Sequence, residues 1–184
     1  MEIRKKNLDE RVKQLQSFGS EEFAHINGTL TQHLVGTYKI LEGWNREEAL
    51  CLAGLFHAVY GSDSTRAELL GTDQRVEIAE MIGQRAEALV YLFCSCDKPY
   101  VLPQIGSESR VNFRDRFSGA VMQFPSELLN DFCELTIAND LDVARNKEQE
   151  YYHEDILDMF RRMYPMVSAE VRLELDGLFD KFCT

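Results

Sequence analysis

Apolar residues recur at helical spacing along almost the whole chain, and only four prolines interrupt them in 184 residues. Repeats of three and four residues place apolar side chains on one face of a helix, whereas strands require alternation. The pattern predicts helices over about 3–18, 29–44, 46–60, 74–81, 83–96, 125–145, 150–163 and 168–182. We therefore expect an all-α fold, a bundle of about seven helices formed by residues 1–184 as a single domain.

One segment, at about 97–122, breaks the helical rhythm. It contains Pro99, Pro103, Gly106 and Gly119 between short mixed runs of apolar and polar residues. We expect an irregular insertion that forms a hairpin, and long insertions of this kind often serve as lids or binding loops.

The charge of the chain excludes two classes of partner. Thirty-one acidic residues against 20 Lys and Arg give a net charge of -11. A surface this acidic repels phosphate backbones and anionic membranes, so we expect neither a nucleic-acid nor a membrane partner. No run of apolar residues is long enough to span a bilayer, and the amino-terminal residues lack the apolar core of a signal peptide.

The cysteines predict a reducing compartment. There are five, an odd number, and none forms a CxxC pair. Buried free thiols are typical of cytoplasmic proteins, so we expect a cytoplasmic location.

Two of the four histidines lie on apolar helical faces. His33 shares a face with Leu30 and Leu34, and His57 follows Leu50 and Ala53 on the next predicted helix. An imidazole is costly to bury unless its nitrogens find partners. Two inward histidines on consecutive helices can also meet, either as metal ligands or as an acid–base pair.

The sequence segments around these histidines resemble the first part of the HD-domain superfamily pattern. This superfamily consists of helical metal-dependent phosphohydrolases, with a smaller branch of di-iron oxygenases. The similar stretches are Gln32-His33-Leu34-Val35-Gly36-Thr37, Ala53-Gly54-Leu55-Phe56-His57 and, more loosely, Ile137-Ala138-Asn139-Asp140-Leu141-Asp142. Further residues and short segments are similar to those of an uncharacterised group of short HD-like bacterial and plant proteins: Trp44, Tyr60-Gly61, Ile82-Gly83, Ala86-Glu87 and Phe93-Cys94. The resemblance implies a shortened HD fold and hydrolysis of a phosphoester as the inherited chemistry.

The chain departs from the superfamily pattern at both aspartates. Ala58 follows His57 where the superfamily has His-Asp, and Asn139 stands where its final aspartate is expected. Asp140 is one residue away, which turns it about 100° around the helix axis. The resemblance then leaves His33, His57 and Asn139 as ligands, which makes a two-metal phosphohydrolase improbable.

Asp63 offers an alternative third ligand, because the chain leaves the predicted helix at Gly61 and can return over the same cavity. Two histidines and one carboxylate suit a single iron, manganese or zinc ion. Ser62, Asp63 and Ser64 are also good helix N-cap residues, so a capping role is the simpler alternative for Asp63.

Other polar residues can complete a site without any metal. Tyr60, Arg75 and Glu87 lie on or beside the helices that flank the histidines, and Glu87 interrupts an apolar face. Glu87 is expected to be buried and paired with Arg75 or Arg66, either in the site or as a salt bridge between helices.

The remaining polar candidates are predicted at the surface. His25 and His153 have polar neighbours, and the acidic runs Asp140–Asp142 and Glu148–Glu150 are expected to be solvated.

From these residues we expect an enzyme that acts on a small molecule between the His33 and His57 helices. It would use one divalent metal (iron, manganese or zinc) or metal-free acid–base catalysis. The alternative is a non-catalytic ligand-binding or scaffolding module on the same fold. The sequence leaves open whether the chain forms a homo-oligomer.

Overall fold

A computed structural model describes residues 2–25, 28–61, 68–145 and 147–182, without the side chains of residues 2–7 and 25. Its helices, in chain order, are α1 (Glu2–Ser17), α2 (Leu30–Gly43), α3 (Glu48–Phe56), α4 (Arg75–Ile82), α5 (Gln84–Ser95), α6 (Lys98–Val101), α7 (Ser126–Ala144), α8 (Glu148–Tyr151), α9 (Glu154–Met163) and α10 (Ala169–Phe182). Two short antiparallel hairpins pair β1 (Ala24–His25) with β2 (Gly28–Thr29), and β3 (Asn112–Arg114) with β4 (Val121–Gln123). The all-α class is therefore confirmed.

The third predicted helix is shorter than expected. The sequence pattern extends it to residue 60, whereas α3 ends at Phe56 with His57 as its C-cap. His57 Nδ1 lies 2.7 Å from the carbonyl oxygen of Gly54, so the ring forms a hydrogen bond with a carbonyl group of the last helical turn. Tighter turns then lead to Gly61, whose φ of 76° is favourable only for glycine.

The second correction concerns the helix expected over about 150–163. The described chain forms two helices there, α8 and α9, which are separated by Tyr152 and His153. His153 has an extended backbone and is the N-cap of α9. Periodicity does not detect this break, because the apolar repeat continues across it.

The irregular insertion is fixed to the rest of the fold by arginines. It contains α6, a 3-10 turn (Leu102–Gln104) and the β3–β4 hairpin, which confirms the predicted hairpin. Arg162 of α9 donates to the carbonyl oxygens of Leu102 and Ile105 at 2.7 and 3.2 Å. Arg116 donates to the carbonyl oxygen of Cys94 at 2.7 Å. These contacts anchor both halves of the insertion.

Helices α2, α3 and α7 pack against one another and position the two histidines. Gly54 of α3 permits the close approach to α2, because a Cβ at this position would overlap the side chain of Leu41. At its start, α2 is fixed by a capping box between Thr29 and Gln32, immediately before His33. The capping box and the close approach of α3 to α2 therefore fix the position of His33 independently of the bonds that its own side chain makes.

Across the described ranges, no helix is both long enough and apolar enough to cross a membrane.

Candidate functional site

The predicted meeting of the two histidines occurs in the structure. His33 Nε2 and His57 Nε2 are 3.1 Å apart, and the rings are nearly perpendicular with centroids 4.9 Å apart. His33 is 4% exposed and His57 is 2% exposed. Burial of two imidazoles this deeply requires polar partners for their nitrogens.

The Nδ1 atoms of both rings face acceptors. His57 Nδ1 faces the carbonyl oxygen of Gly54, and His33 Nδ1 lies 2.7 Å from Asp142 Oδ2. Carbonyl and ionised carboxylate oxygens only accept, so each Nδ1 carries the proton in these bonds. The Nε2 atom of a neutral imidazole with this tautomer is an acceptor.

Asn139 supplies a third acceptor at the same point. Its Oδ1 lies 3.1 Å from His33 Nε2, and its Nδ2 donates to Asp140 Oδ1 at 2.8 Å. The Asp140 carboxylate thus orients the amide so that its oxygen faces the histidines. Tyr151 of α8 also donates to Asp140, and the side chain of Asn139 is only partly buried.

Asp140 and Asp142 correct the sequence analysis. The run Asp140–Asp142 was expected to be solvated, whereas Asp140 and Asp142 are both buried, Asp142 being only 3% exposed. Burial raises the pKa of Asp140, and the charge of Lys98 acts in the opposite direction. The spacing of three residues between Asn139 and Asp142 was the missed signal, because it places both on the face of α7 that meets α2.

Gly36 makes room for the Asp142 carboxylate. It lies one turn after His33, and a Cβ there would overlap the Asp142 side chain. Arg145 also binds Asp142, at 2.9 Å, from a largely exposed position. The pairing of His33 with Asp142 therefore depends on a residue without a side chain.

Two imidazole nitrogens and one amide oxygen converge as acceptors, so a proton or a metal ion is needed between them. A proton on His33 Nε2 can serve both His57 and Asn139. A divalent ion can serve instead, because donors about 2.1 Å from one ion are about 3.0 Å apart in octahedral geometry and about 3.4 Å apart in tetrahedral geometry. Ligating histidines also donate their other nitrogen to a carboxylate or carbonyl, as both do here.

The donors that meet at this point are two imidazoles and one amide. Among the described residues, no group of three or more His, Cys, Asp or Glu side chains is arranged to hold a metal. The third donor beside His33 and His57 is an amide, and Ala58 supplies no ligand. Asp63, the alternative ligand, lies outside the described residues, as does Arg66.

The other candidates form a second cluster. Arg75 binds Glu87 through two hydrogen bonds of 2.6 and 2.9 Å, and the Tyr60 hydroxyl donates to the same carboxylate at 3.2 Å. Glu87 is buried, as predicted, and its partner is Arg75. The hydrogen bonds that Arg75 donates to Glu87 raise the pKa of Arg75, while burial raises the pKa of Tyr60. This cluster joins α4 to α5, as a salt bridge between helices does.

The second cluster continues to the insertion. The Arg75 guanidinium lies 3.6 Å from the centroid of the Tyr91 ring. The Tyr91 hydroxyl donates to Asp115 at 2.6 Å. Burial favours the neutral form of Asp115, yet bonds from Tyr91 and from the backbone of Ser118 and Phe117 lower its pKa overall.

The remaining histidines and cysteines agree with the sequence where the structure describes them. The side chain of His153 is 60% exposed, and that of His25 is outside the described residues. Four cysteines in the described ranges are buried: Cys51, Cys94, Cys96 and Cys133. The Cys94 thiol donates to the carbonyl oxygen of His57 at 3.0 Å, and burial raises its pKa to about 12.

Comparison with known proteins finds a family whose model matches part of the chain. Residues 14–98 match the model of a family described as a domain of unknown function (DUF6817). This span carries α2, α3 and both histidines, whereas Asn139 and Asp142 lie beyond it. No curated protein and no solved structure matches the chain. The resemblance to the HD-domain superfamily stays a prediction from the sequence.

Proposed function

We propose that the chain is an enzyme for a small molecule, with its reacting centre at His33, His57 and Asn139. The observation that carries this proposal is the convergence of Nε2 and amide acceptors 3.1 Å apart, with both Nδ1 atoms committed elsewhere. A structural histidine pair needs only to satisfy its nitrogens. This one instead directs three acceptors to a common point beside a partly exposed amide.

The first form of the proposal is a single-metal centre. His33, His57 and Asn139 would hold iron, manganese or zinc, with Asp142 and Gly54 orienting the two rings. Such an ion supplies a Lewis acid that activates bound water for hydrolysis or, for iron, a site for oxygen chemistry. Asp140 holds the Asn139 amide in the orientation that such binding needs.

The second form is a metal-free acid–base pair. The 3.1 Å separation of the Nε2 atoms also suits a hydrogen bond from a protonated His33 to His57. The buried carboxylate of Asp142 stabilises an imidazolium at His33. His33 would then act as the acid and His57 as the base.

Metal analysis distinguishes these forms. Protein purified without chelators or a metal-affinity tag is measured by ICP-MS, together with His33→Ala, His57→Ala and the exposed control His153→Ala. The single-metal form predicts about one equivalent of metal, lost in the first two variants and retained in the control. Metal-free protein that stays folded overturns this form and leaves the acid–base pair.

Turnover then separates an enzyme from a binding module. Screening hydrolysis and oxygenation of small molecules should give activity that His57→Ala loses while its fold is retained. A His57→Ala variant that loses about 1–3 kcal/mol of stability in a protein without detectable turnover favours the binding or scaffolding alternative. We also propose a cytoplasmic location, which the buried free thiols of Cys94 and Cys133 support.

A further inference from the structure

Lys98 lies beside the histidine site, and its charge opposes the burial that raises the pKa of Asp140. It is the first residue of α6, and its side chain is partly buried. Its ammonium is 4.6 Å from the centroid of the Phe93 ring. The same ring packs edge-on against His57, with centroids 5.1 Å apart. Lys98 and His57 thus contact one aromatic side chain.

Lys98 acts on one nearby carboxyl: burial raises the pKa of Asp140, and the charge of Lys98 acts in the opposite direction. In the part of the chain that the structure describes, no acidic group is close enough to Lys98 to form an ion pair with it. Asp97, its neighbour in sequence, binds Arg114 at 2.7 Å and accepts from the backbone of Tyr100. A partly buried ammonium that holds an aromatic face is an available binding group for an anion.

The setting makes this cation unusual. The chain has 31 acidic residues and only 20 Lys and Arg, and most of its arginines near the insertion already bind carboxylates or carbonyls. The three acceptors at His33, His57 and Asn139 also require a cation, either a proton or a metal. A ligand that reaches both places therefore meets a cation at each of them, beside the buried carboxylates of Asp142 and Asp140, which balance part of the charge.

We propose that Lys98 binds an oxyanion of the small molecule, a carboxylate or a phosphate group, whose other end reaches the histidine site. The inference rests on the proposed function and names its substrate class: a small organic anion. Lys98 binds and orients this anion, and it takes no part in the histidine chemistry. Neutral ligands of the same size gain nothing from the ammonium and bind more weakly.

Calorimetric titration with inorganic phosphate and with malonate tests the inference. The proteins are the wild type, Lys98→Gln, Lys98→Arg and the control Lys39→Gln, which changes an exposed lysine of α2. We expect one of the two probes to bind the wild type and the control equally. Lys98→Gln should weaken it by about tenfold or more, and Lys98→Arg should retain part of the affinity. Whichever probe binds distinguishes a phosphate from a carboxylate ligand.

A second measurement does not depend on the folding of a variant. Amine labelling of wild-type protein, read by mass spectrometry, should show Lys98 protected by the bound probe while Lys39 is labelled at an unchanged rate. Three results overturn the inference: the same anion affinity in all four proteins, labelling of Lys98 that the probe does not slow, or no binding of either anion.

Metal content separates this inference from the proposed function. Lys98→Gln should hold as much metal as the wild type, because Lys98 is not among the proposed ligands. Metal binding without anion binding leaves the single-metal centre standing and removes the anion site. Anion binding that depends on Lys98 in metal-free protein does the reverse.

Discussion

Substitution of Gly36 by alanine should break the bond between His33 and Asp142 without changing either residue. The new methyl group overlaps the carboxylate, which must move on the order of 1 Å to reach van der Waals contact. Since the bond is now 2.7 Å long, this movement takes it beyond hydrogen-bonding distance. The substitution therefore removes the orientation of His33 from a position that contacts neither ring.

The expected change in the free energy of unfolding follows from the loss of the hydrogen bond between His33 and Asp142. A hydrogen bond to a charged group contributes about 1.5–3 kcal/mol, and separating a buried pair can cost about 3–5 kcal/mol. Alanine favours the helix over glycine by about 1 kcal/mol, which offsets part of this loss. We expect Gly36→Ala to lower the free energy of unfolding by about 1–3 kcal/mol.

A double-mutant cycle isolates the mechanism. Asp142→Ala removes the carboxylate that the methyl group meets, so Gly36→Ala in that background should be neutral or stabilising by up to about 1 kcal/mol. Urea denaturation of the four proteins, followed by circular dichroism, measures the coupling. An equal cost of Gly36→Ala in both backgrounds would refute the steric reasoning.

Three further predictions concern the second cluster and the buried groups around it. Glu87→Ala should lower the free energy of unfolding by about 1–3 kcal/mol in urea denaturation, because it leaves the Tyr60 hydroxyl without its acceptor, whereas the Arg75 side chain is 38% exposed and can bind water. Loss of bound metal in this variant would contradict the placement of Glu87 outside the histidine site. Burial raises the pKa of Cys94 to about 12, so at about pH 8 iodoacetamide should not label this residue until the protein is unfolded. Rapid labelling of Cys94 in the native protein, detected by mass spectrometry, would contradict its burial. Burial and the hydrogen bond to Asp115 raise the pKa of Tyr91 from 10.0 to about 12. The hydrogen bond of Tyr91 therefore contributes fully to stability below pH 10, and this contribution is lost as the pH rises through about 12. Tyr91→Phe should lack this component of alkaline denaturation, and a denaturation profile equal to that of the wild type would contradict the prediction.

The sequence predicted the long helices well, because their apolar faces are continuous. The ends of α2 and α5 lie within one residue of the predicted ends, and glycine and proline mark several of them. The end of α3 was wrong by four residues, because the His57 ring bonds back to its last turn. Such a side-chain contact leaves no trace in hydrophobic periodicity.

The site was predicted in part. Periodicity placed His33 and His57 on facing helices, and the resemblance drew attention to Asn139. Asp142 was missed because an acidic run usually indicates a solvated surface. The pairing depends on the register between α2 and α7, more than 100 residues apart in sequence, and on the space left by Gly36.

The protonation of the two histidine rings tests the central claim most directly. Long-range 1H–15N NMR spectra of metal-free protein should show a proton on Nδ1 of both His33 and His57. For the single-metal form, adding zinc should shift both Nε2 resonances while the Nδ1 protons remain. For the acid–base form, the spectra should show His33 protonated at Nε2 as well as at Nδ1. A ring protonated only at Nε2, with no response to zinc, would contradict the account, because its acceptors would no longer converge on one point.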